Sequence, residues 1–181
     1  MPLQHAPGHA QVDFGEADVY VQGLLERAHF FVMDLPHSDD AFGMAFPAET
    51  TEAFCEGHNQ AFVYFGGVPL SILYDNTKLV AQIQENGARQ TTRAFRELQS
   101  HYLFAERFGR PGKGNDKGKV EALVGYARRN FLVPLPRVSS YGELNQHLLA
   151  ACQRRRAKVL RGHQDTLGQR FEWDRQALLP L

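Results

Sequence analysis

The order of its predicted elements places this chain of 181 residues in the mixed α/β class. Three strand-like segments come first, joined by connections short enough for an antiparallel meander. Two further strands then alternate with helices, and two more helices follow. We therefore expect the last two strands to run parallel to the first through helical crossovers. With 43% hydrophobic and 22% charged residues, the composition is that of a globular domain that can bury a core.

The first three strands are predicted from alternation and from apolar runs. In HAQVDFG apolar and polar residues alternate, as in a strand with one buried face, and Asp13 falls on the other face. A polar turn is expected over residues 15–18, followed by an extension or hairpin arm. Residues 28–35 are apolar on both faces and predict an interior strand, and residues 42–47 predict a shorter one.

The first two helices are predicted from their caps. A threonine at 50–51 can begin the first helix and Gly66-Gly67 can end it, whereas a threonine at 91–92 can begin the second. The apolar segment VPLSILYDN between these helices predicts the fourth strand. YLFA, at 102–105, predicts the fifth.

Two more helices are predicted in the carboxyl-terminal part. One is expected to begin near Asp116 and to stop before Pro134. Ser140 and Glu143 match a capping box for the next, through LNQHLLAACQRRRAKVL. His58 lies on the apolar face of the first helix and is therefore expected to be a packed core histidine rather than a ligand.

Charge is strongly polarised along the chain, although the formal net charge is zero. The first 77 residues hold one basic and eleven acidic residues, whereas nineteen basic and nine acidic residues follow. This asymmetry predicts that the second half faces a polyanion. The alternative is that the opposite charges pair across the fold. The basic run QRRRAK (153–158) is a candidate for phosphate contact under the first interpretation.

Several classes of protein are excluded by the sequence. Cys55 and Cys152 lack zinc-site spacing and are too few for a secreted disulfide framework. No apolar stretch is long enough to cross a membrane, and no signal peptide is recognisable. The glycine-rich segment 107–119 is not an ATP-binding loop, because Lys119 is followed by Val120 rather than Ser or Thr. We therefore expect a cytoplasmic protein.

Three carboxylates occupy places that suit a metal site. Asp75 directly follows an apolar strand, and it comes close to Asp13 if the first and fourth strands are neighbours. Two carboxylates that face one spot are tolerated when they share a cation or a proton. Glu121, one turn into the helix after the basic segment, is the third candidate. Oxygen ligands suit Mg²⁺ or Mn²⁺, and two such ions serve phosphoryl transfer.

Each carboxylate also has a structural interpretation. Asp13 can be a polar residue on an exposed strand face, Asp75 can stabilise a turn, and Glu121 can pair with Lys117. Polar and basic residues around them are candidates for binding a phosphate-rich polyanion, because each Lys or Arg can neutralise one phosphate. These candidates are Asn76, Lys78, Arg110, Lys113, Lys117, Lys119 and Arg128.

Three segments carry a resemblance to a known superfamily: GHAQVDFG, YDNTKLV and GRPGKGNDKGKVEALVGYARRNF. In this order they resemble the catalytic core of DDE transposases and retroviral integrases, and more narrowly the IstA-type transposases of bacterial insertion sequences. The resemblance implies a ribonuclease-H-like fold, a mixed five-stranded sheet with helices on both faces. Residues 1–160 would form this core. Residues 161–181 would be an irregular arm or a linker to a missing domain, anchored by Phe171 and Trp173.

The resemblance also implies an activity. Asp13, Asp75 and Glu121 would be the acidic triad, which holds two Mg²⁺ or Mn²⁺ ions when DNA is bound. The implied reaction is cleavage at a 3′ end followed by strand transfer into target DNA. Implied partners are DNA, further copies of the chain on DNA and a helper ATPase of the AAA+ class. Two alternatives stay open: a nuclease limited to hydrolysis, and a non-catalytic DNA-binding or assembly domain that retains the fold.

Two departures from the family pattern are visible. The interval from Asp75 to Glu121 is longer than is typical of retroviral integrases, and the extra length falls in AQIQENGARQ, which is expected to be a surface insertion. Such transposases usually carry a DNA-end-binding region before the core. Its absence here leads us to expect a catalytic-core fragment.

Overall fold

In a computed structural model, the chain forms a six-stranded mixed sheet with helices on both faces. The structure describes residues 5–74, 81–83, 89–108, 125, 132 and 134–181. The strands are β1 (His9–Val21), β2 (Leu24–Leu35), β3 (Asp40–Phe46), β4 (Ser71–Tyr74), β5 (Ala81–Ile83), β6 (Arg89–Thr91), β7 (Ala105–Phe108) and β8 (Arg137–Val138). The helices within these residues are α1 (Thr51–Phe65), α2 (Arg93–Tyr102), α3 (Tyr141–Arg155) and α4 (Leu167–Ala177).

The sheet has the predicted mixed topology. Its strands lie in the order β3-β2-β1-β4-β7, with β1, β2 and β3 antiparallel and with β4 and β7 parallel to β1. The sixth strand, β8, pairs in parallel with the far end of β1 at Tyr20 and Val21. We predicted five strands, because a strand of two residues leaves no periodic pattern in a sequence.

β1 is one continuous strand of thirteen residues, so the polar turn predicted over residues 15–18 is wrong. These residues pair with β2 without interruption. The chain reverses instead at Gln22 and Gly23, whose φ angles of 51° and 79° are those of a two-residue hairpin. The acidic residues that indicated a turn form exposed ion pairs with Arg27 on β2.

The fifth predicted strand is displaced. β7 begins at Ala105, whereas the prediction placed the strand at 102–105. Tyr102 is the last residue of α2, and its ring packs against that of Phe62, with centroids 4.7 Å apart. The polar stretch predicted as a surface insertion contains β5 and β6, which pair as a separate antiparallel hairpin.

The helix ends follow their predicted caps. Thr50 Oγ1 accepts a hydrogen bond from the N–H of Ala53, and Gly66 ends α1 with a φ of 75°. Ser140 caps α3, but the Glu143 carboxylate binds Ser139, so only half of the predicted capping box forms. α3 ends at Arg155, before the predicted end of the run. Apart from residues 125 and 132, the helix predicted from Asp116 lies outside the described residues.

Apolar clusters on both faces hold the layers together. The first joins the sheet to α1 and α2 and is rich in aromatic rings, including Phe31, Phe54, Phe62 and Phe95. The second joins the opposite face to α3, through residues such as Val32, Leu144 and Leu148. Both faces of β1 therefore contribute to the core, whereas its sequence predicted one buried face. Among the described residues, no helix is long and apolar enough to span a membrane.

The carboxyl-terminal arm is not irregular, because it contains α4. Thr166 and Gln169 form a complete capping box at the start of this helix. Phe171 is buried, as predicted for an anchor, but Trp173 is 65% exposed and anchors nothing within the described residues. The buried Asp174 accepts a hydrogen bond of 2.7 Å from the N–H of Gly8. Residues 167–177 thus pack on the same domain, and a link to a further domain stays a prediction.

Replacing Gly57 with Ala is expected to lower the free energy of unfolding by about 1–3 kcal/mol. An added Cβ would lie 2.6 Å from the fully buried ring of Phe31, which outweighs the roughly 1 kcal/mol by which Ala is favoured in a helix. Gly142→Ala in α3 is the matched control, because its added Cβ would lie 3.6 Å from Ser140 Oγ. Urea unfolding measures both variants, and equal stability of the two would contradict this account.

Candidate active site

Asp13 lies within β1, the central strand of the sheet. It is half-buried, and its Oδ1 accepts a hydrogen bond of 2.8 Å from the N–H of Phe14. Because side chains alternate along a strand, Asp13 lies on the face that α3 covers, opposite to Val12. Its partner on β2 is Val32, a member of the second apolar cluster. A carboxylate is therefore placed at the margin of a packed face.

β1 and β4 are neighbours, which confirms the arrangement on which the carboxylate prediction depends. Their parallel pairing runs from His9 with Ser71 to Val12 with Tyr74. The next residues in the sequence are Asp13 on one strand and Asp75 after the other. The last described pair thus directly precedes both predicted acidic residues.

Most of the predicted site residues lie outside the described residues. These are Asp75 and Glu121 of the triad, together with the predicted DNA-binding residues Asn76, Lys78, Arg110, Lys113, Lys117, Lys119 and Arg128. Within the part of the chain that is described, no group of three metal-ligating side chains is present. Asp13 is the member of the triad whose surroundings the structure shows.

A buried histidine and a buried tyrosine lie at the carboxyl end of β4. His58 of α1 has no exposed surface, and Tyr74 of β4 is 1% exposed. The Nδ1 of His58 lies 2.7 Å from the carbonyl oxygen of Phe54, and its Nε2 lies 2.7 Å from the hydroxyl of Tyr74. Because a carbonyl only accepts, Nδ1 carries the proton and Nε2 accepts from the tyrosine. This confirms His58 as a packed core histidine.

Stability is expected to fall by about 2 kcal/mol between pH 7 and pH 5 through His58. Burial lowers the pKa of this histidine from 6.5 to about 4, against a smaller opposing effect of the Phe54 carbonyl. Because the folded-state pKa is the lower one, the stabilisation is complete above about pH 6.5 and is lost as the pH falls toward about 4. Urea unfolding of wild type and His58→Leu at both pH values measures this contribution. An equal pH dependence in the two proteins would contradict the assignment.

Ion pairs join the carboxyl-terminal basic residues to the end of the turn between β2 and β3 and to the first residue of β3. Arg156 donates to Asp40 at 2.7 Å, and Arg170 donates to Asp39 at 2.7 Å. The Nη1 of Arg155 donates to the carbonyl oxygen of Asp39 at 2.5 Å. Part of the charge asymmetry of the sequence is therefore explained by ion pairs between basic residues of the second half and acidic residues of the first half. Arg155 and Arg156 of the run QRRRAK thus have partners within the domain, and the phosphate contact that the sequence suggested for this run stays a prediction.

Comparisons with known proteins agree with this geometry. No protein-family model matches the chain. The transposase of insertion sequence IS21 from Pseudomonas aeruginosa is 35% identical over 174 residues, which cover 94% of this chain and 44% of that protein. The transposase of IS640 from Shigella sonnei is 35% identical over 173 residues, 93% of this chain and 54% of that protein. The chain thus spans about half the length of these curated relatives.

Solved structures of retroviral integrases share the fold. A chain of the simian T-cell lymphotropic virus intasome aligns with 94% of this chain and 58% of its own, at a TM-score of 0.63 and 19% identity. The catalytic core domain of HTLV-2 integrase, solved in complex with magnesium, aligns with 92% of this chain and 98% of its own, at a TM-score of 0.63 and 17% identity. The predicted ribonuclease-H-like fold is confirmed. The curated sequence relatives of this chain are thus IS21-family transposases of bacterial insertion sequences, and its fold matches that of a DDE transposase or integrase catalytic core.

Proposed function

We propose that this chain is the catalytic domain of a DNA transposase, which cleaves DNA 3′ ends and transfers them to target DNA in a metal-dependent reaction. The observation that carries the proposal is the parallel register of β1 and β4, whose last described pair directly precedes Asp13 and Asp75 in the sequence. The curated relatives are transposases, and one structural neighbour is an integrase catalytic core solved with magnesium.

The register supports a shared site for these two carboxylates. Val12 and Tyr74 both belong to the first apolar cluster, so both side chains lie on the α1 face of the sheet. Asp13 lies on the opposite face. One further extended residue after Tyr74 would bring the Asp75 carboxylate to that same face, on a strand about 4.8 Å away. Two carboxylates at that separation can bind one cation.

The chemistry of Asp13 fits a hard divalent cation. Its carboxylate is half-buried and accepts a hydrogen bond from the N–H of Phe14. Asp13, Asp75 and Glu121 would hold Mg²⁺ or Mn²⁺, for which carboxylate oxygens are the preferred ligands. When bound, two such ions activate the attacking oxygen and stabilise the leaving oxygen of a phosphodiester.

The basic segment 107–119 is proposed to bind the DNA backbone. Its first two residues, Arg107 and Phe108, end β7, and Phe108 pairs with Tyr74, the last residue of β4. The described start of the segment therefore lies beside the residue that precedes Asp75 in the sequence. Arg110, Lys113, Lys117 and Lys119 lie in it, and Asn76, Lys78 and Arg128 complete the proposed contacts. Each cation that neutralises a phosphate raises affinity and the salt dependence of binding.

The proposed partners are DNA and further copies of this chain. The HTLV-2 integrase core has been solved in trimeric and dimeric forms, which supports an oligomer in a fold of this kind. The AAA+ helper ATPase remains a prediction from family resemblance.

Glu121→Gln is expected to slow the resolution of a branched DNA that mimics the strand-transfer product by at least about 100-fold, because a carboxylate ligand is lost. The assay uses Mn²⁺ and depends little on the regions that bind element ends. Glu97→Gln is the matched control, because Glu97 is exposed and forms an ion pair of 2.8 Å with Arg93 on its own helix.

Resolution and rejoining by wild type and Glu97→Gln, with loss in Glu121→Gln, would support the proposal. Cleavage without rejoining would indicate a nuclease limited to hydrolysis. Equal activity of Glu121→Gln would place the chemistry elsewhere. Failure of the wild-type protein to resolve the branched DNA, whichever end sequence that DNA carries, would favour a non-catalytic assembly domain.

A further inference from the structure

The pair formed by His58 and Tyr74 is polar in surroundings that are aromatic and apolar. The His58 ring lies against those of Phe31, Phe54 and Phe62, with centroids 4.4 to 5.9 Å apart. Burying two polar side chains costs desolvation energy, and apolar residues of similar size would fill the same volume without it. Packing by itself therefore does not account for this pair.

The pair has a fixed direction. Phe54 is one turn before His58 on α1, and its carbonyl oxygen accepts the Nδ1 proton at 2.7 Å. This contact fixes the tautomer and leaves the Nε2 lone pair for the Tyr74 hydroxyl, also at 2.7 Å. A hydrogen bond weakens steeply as its angle departs from linearity, whereas apolar contacts tolerate sliding. The hydrogen bond to α1 therefore fixes both the position and the orientation of the Tyr74 side chain.

Tyr74 lies where a fixed side-chain position can affect the proposed metal site. It pairs with Val12 of β1 on one side and with Phe108 of β7 on the other. Its ring packs edge-to-face against that of Phe95, at an interplanar angle of 89°. Asp75 is the next residue in the sequence. Movement of the Tyr74 side chain would therefore be passed to the backbone that continues into Asp75.

We propose that His58 is a positioning residue for the metal site, which acts through the Tyr74 hydroxyl to set the placement of Asp75 opposite Asp13. The inference rests on the proposed function, since it needs Asp75 as a metal ligand. His58 itself touches neither metal nor DNA in this account. A small error in the position of one carboxylate weakens metal binding, because the ligands must meet at one point.

The test compares Tyr74→Phe with Tyr102→Phe. Tyr102 also donates a hydroxyl hydrogen bond to α1, to Oδ1 of Asn59 at 2.7 Å, but from the end of α2. Two quantities are measured: the Mn²⁺ concentration for half-maximal resolution of the branched DNA, and the rise in Tm that Mn²⁺ produces. Tyr74→Phe should raise the Mn²⁺ requirement at least tenfold and reduce the rise in Tm, whereas Tyr102→Phe should stay within twofold of wild type.

A double variant separates positioning from stability. His58→Leu combined with Tyr74→Phe removes both polar groups, so no buried group is left unpaired and Tm should recover toward that of wild type. The Mn²⁺ requirement should stay raised, because the directional contact is absent. Recovery of both quantities would overturn the inference, as would a Tyr74→Phe protein that responds to Mn²⁺ like Tyr102→Phe.

Asp75→Asn shows which proposal has failed. If Asp75→Asn loses the response to Mn²⁺ while Tyr74→Phe keeps it, the positioning role is wrong and the proposed function stands. If Asp75→Asn responds to Mn²⁺ like wild type, Asp75 is not a ligand, and both the triad and the positioning role are overturned.

Discussion

Asp13→Asn is expected to abolish DNA cleavage and strand transfer while the domain stays folded. The substitution removes the negative charge that would hold a divalent cation, and the loss of several kcal/mol of transition-state stabilisation corresponds to a decrease in rate of about 10³-fold or more. Asn keeps an oxygen at Oδ1 that can accept the hydrogen bond from Phe14, so stability should change by less than about 1 kcal/mol. Strand-transfer rates and thermal unfolding measure the two effects.

Asp18→Asn is the matched control for this experiment. Asp18 lies on the same strand, five residues further along, and forms an exposed ion pair of 3.6 Å with Arg27. Its replacement should leave activity unchanged. Activity of Asp13→Asn within a few-fold of wild type would remove Asp13 from the site, and a large loss of stability would make it a structural residue instead.

Arg156→Leu is expected to lower the free energy of unfolding by about 3–5 kcal/mol, because it leaves the Asp40 carboxylate buried without its cation. The Asp40 side chain is 2% exposed, and its oxygen lies 2.7 Å from the guanidinium. Burial raises the pKa of Asp40, and Arg156 opposes that shift. The guanidinium also lies over the rings of Tyr64 and Phe171, at 4.2 and 4.3 Å. Urea unfolding measures the loss.

Arg154→Leu is the neighbouring control, since Arg154 is exposed and its replacement should change stability by less than about 0.5 kcal/mol. Adding Asp40→Asn to Arg156→Leu should recover part of the loss, because the buried charge is then gone. An Arg156→Leu protein that is stable but binds DNA weakly would instead support the phosphate contact that the basic run suggested.

The sequence predicted the parts of the fold that depend on local chemistry. The ends of α1 follow from Thr50 and Gly66, which act through the backbone within one turn. The parallel placement of β4 beside β1 follows from the general rule for strands joined by helical crossovers. The helix α4 could also have been predicted, since Thr166 and Gln169 have capping-box spacing. The sequence was instead interpreted as an irregular arm there.

Features that depend on distant contacts could not be predicted. The polar stretch of β1 resembles a turn until it is paired with Arg27 on the next strand. Arg156 and Asp40 are 116 residues apart, and no local pattern indicates that they meet. The same holds for the Tyr74 hydroxyl and His58, although the burial of His58 was predicted from its position on α1. Strand register, which brings Val12 opposite Tyr74, likewise depends on the whole sheet.

The most direct test of the central claim is anomalous diffraction from crystals of this protein bound to branched DNA in the presence of Mn²⁺. The proposed site predicts an anomalous peak within about 2.0–2.4 Å of carboxylate oxygens from both Asp13 and Asp75, the range for hard divalent cations. Glu121 is predicted to complete the coordination. A fully occupied Mn²⁺ site elsewhere on the protein, with neither Asp13 nor Asp75 as a ligand, would contradict the account.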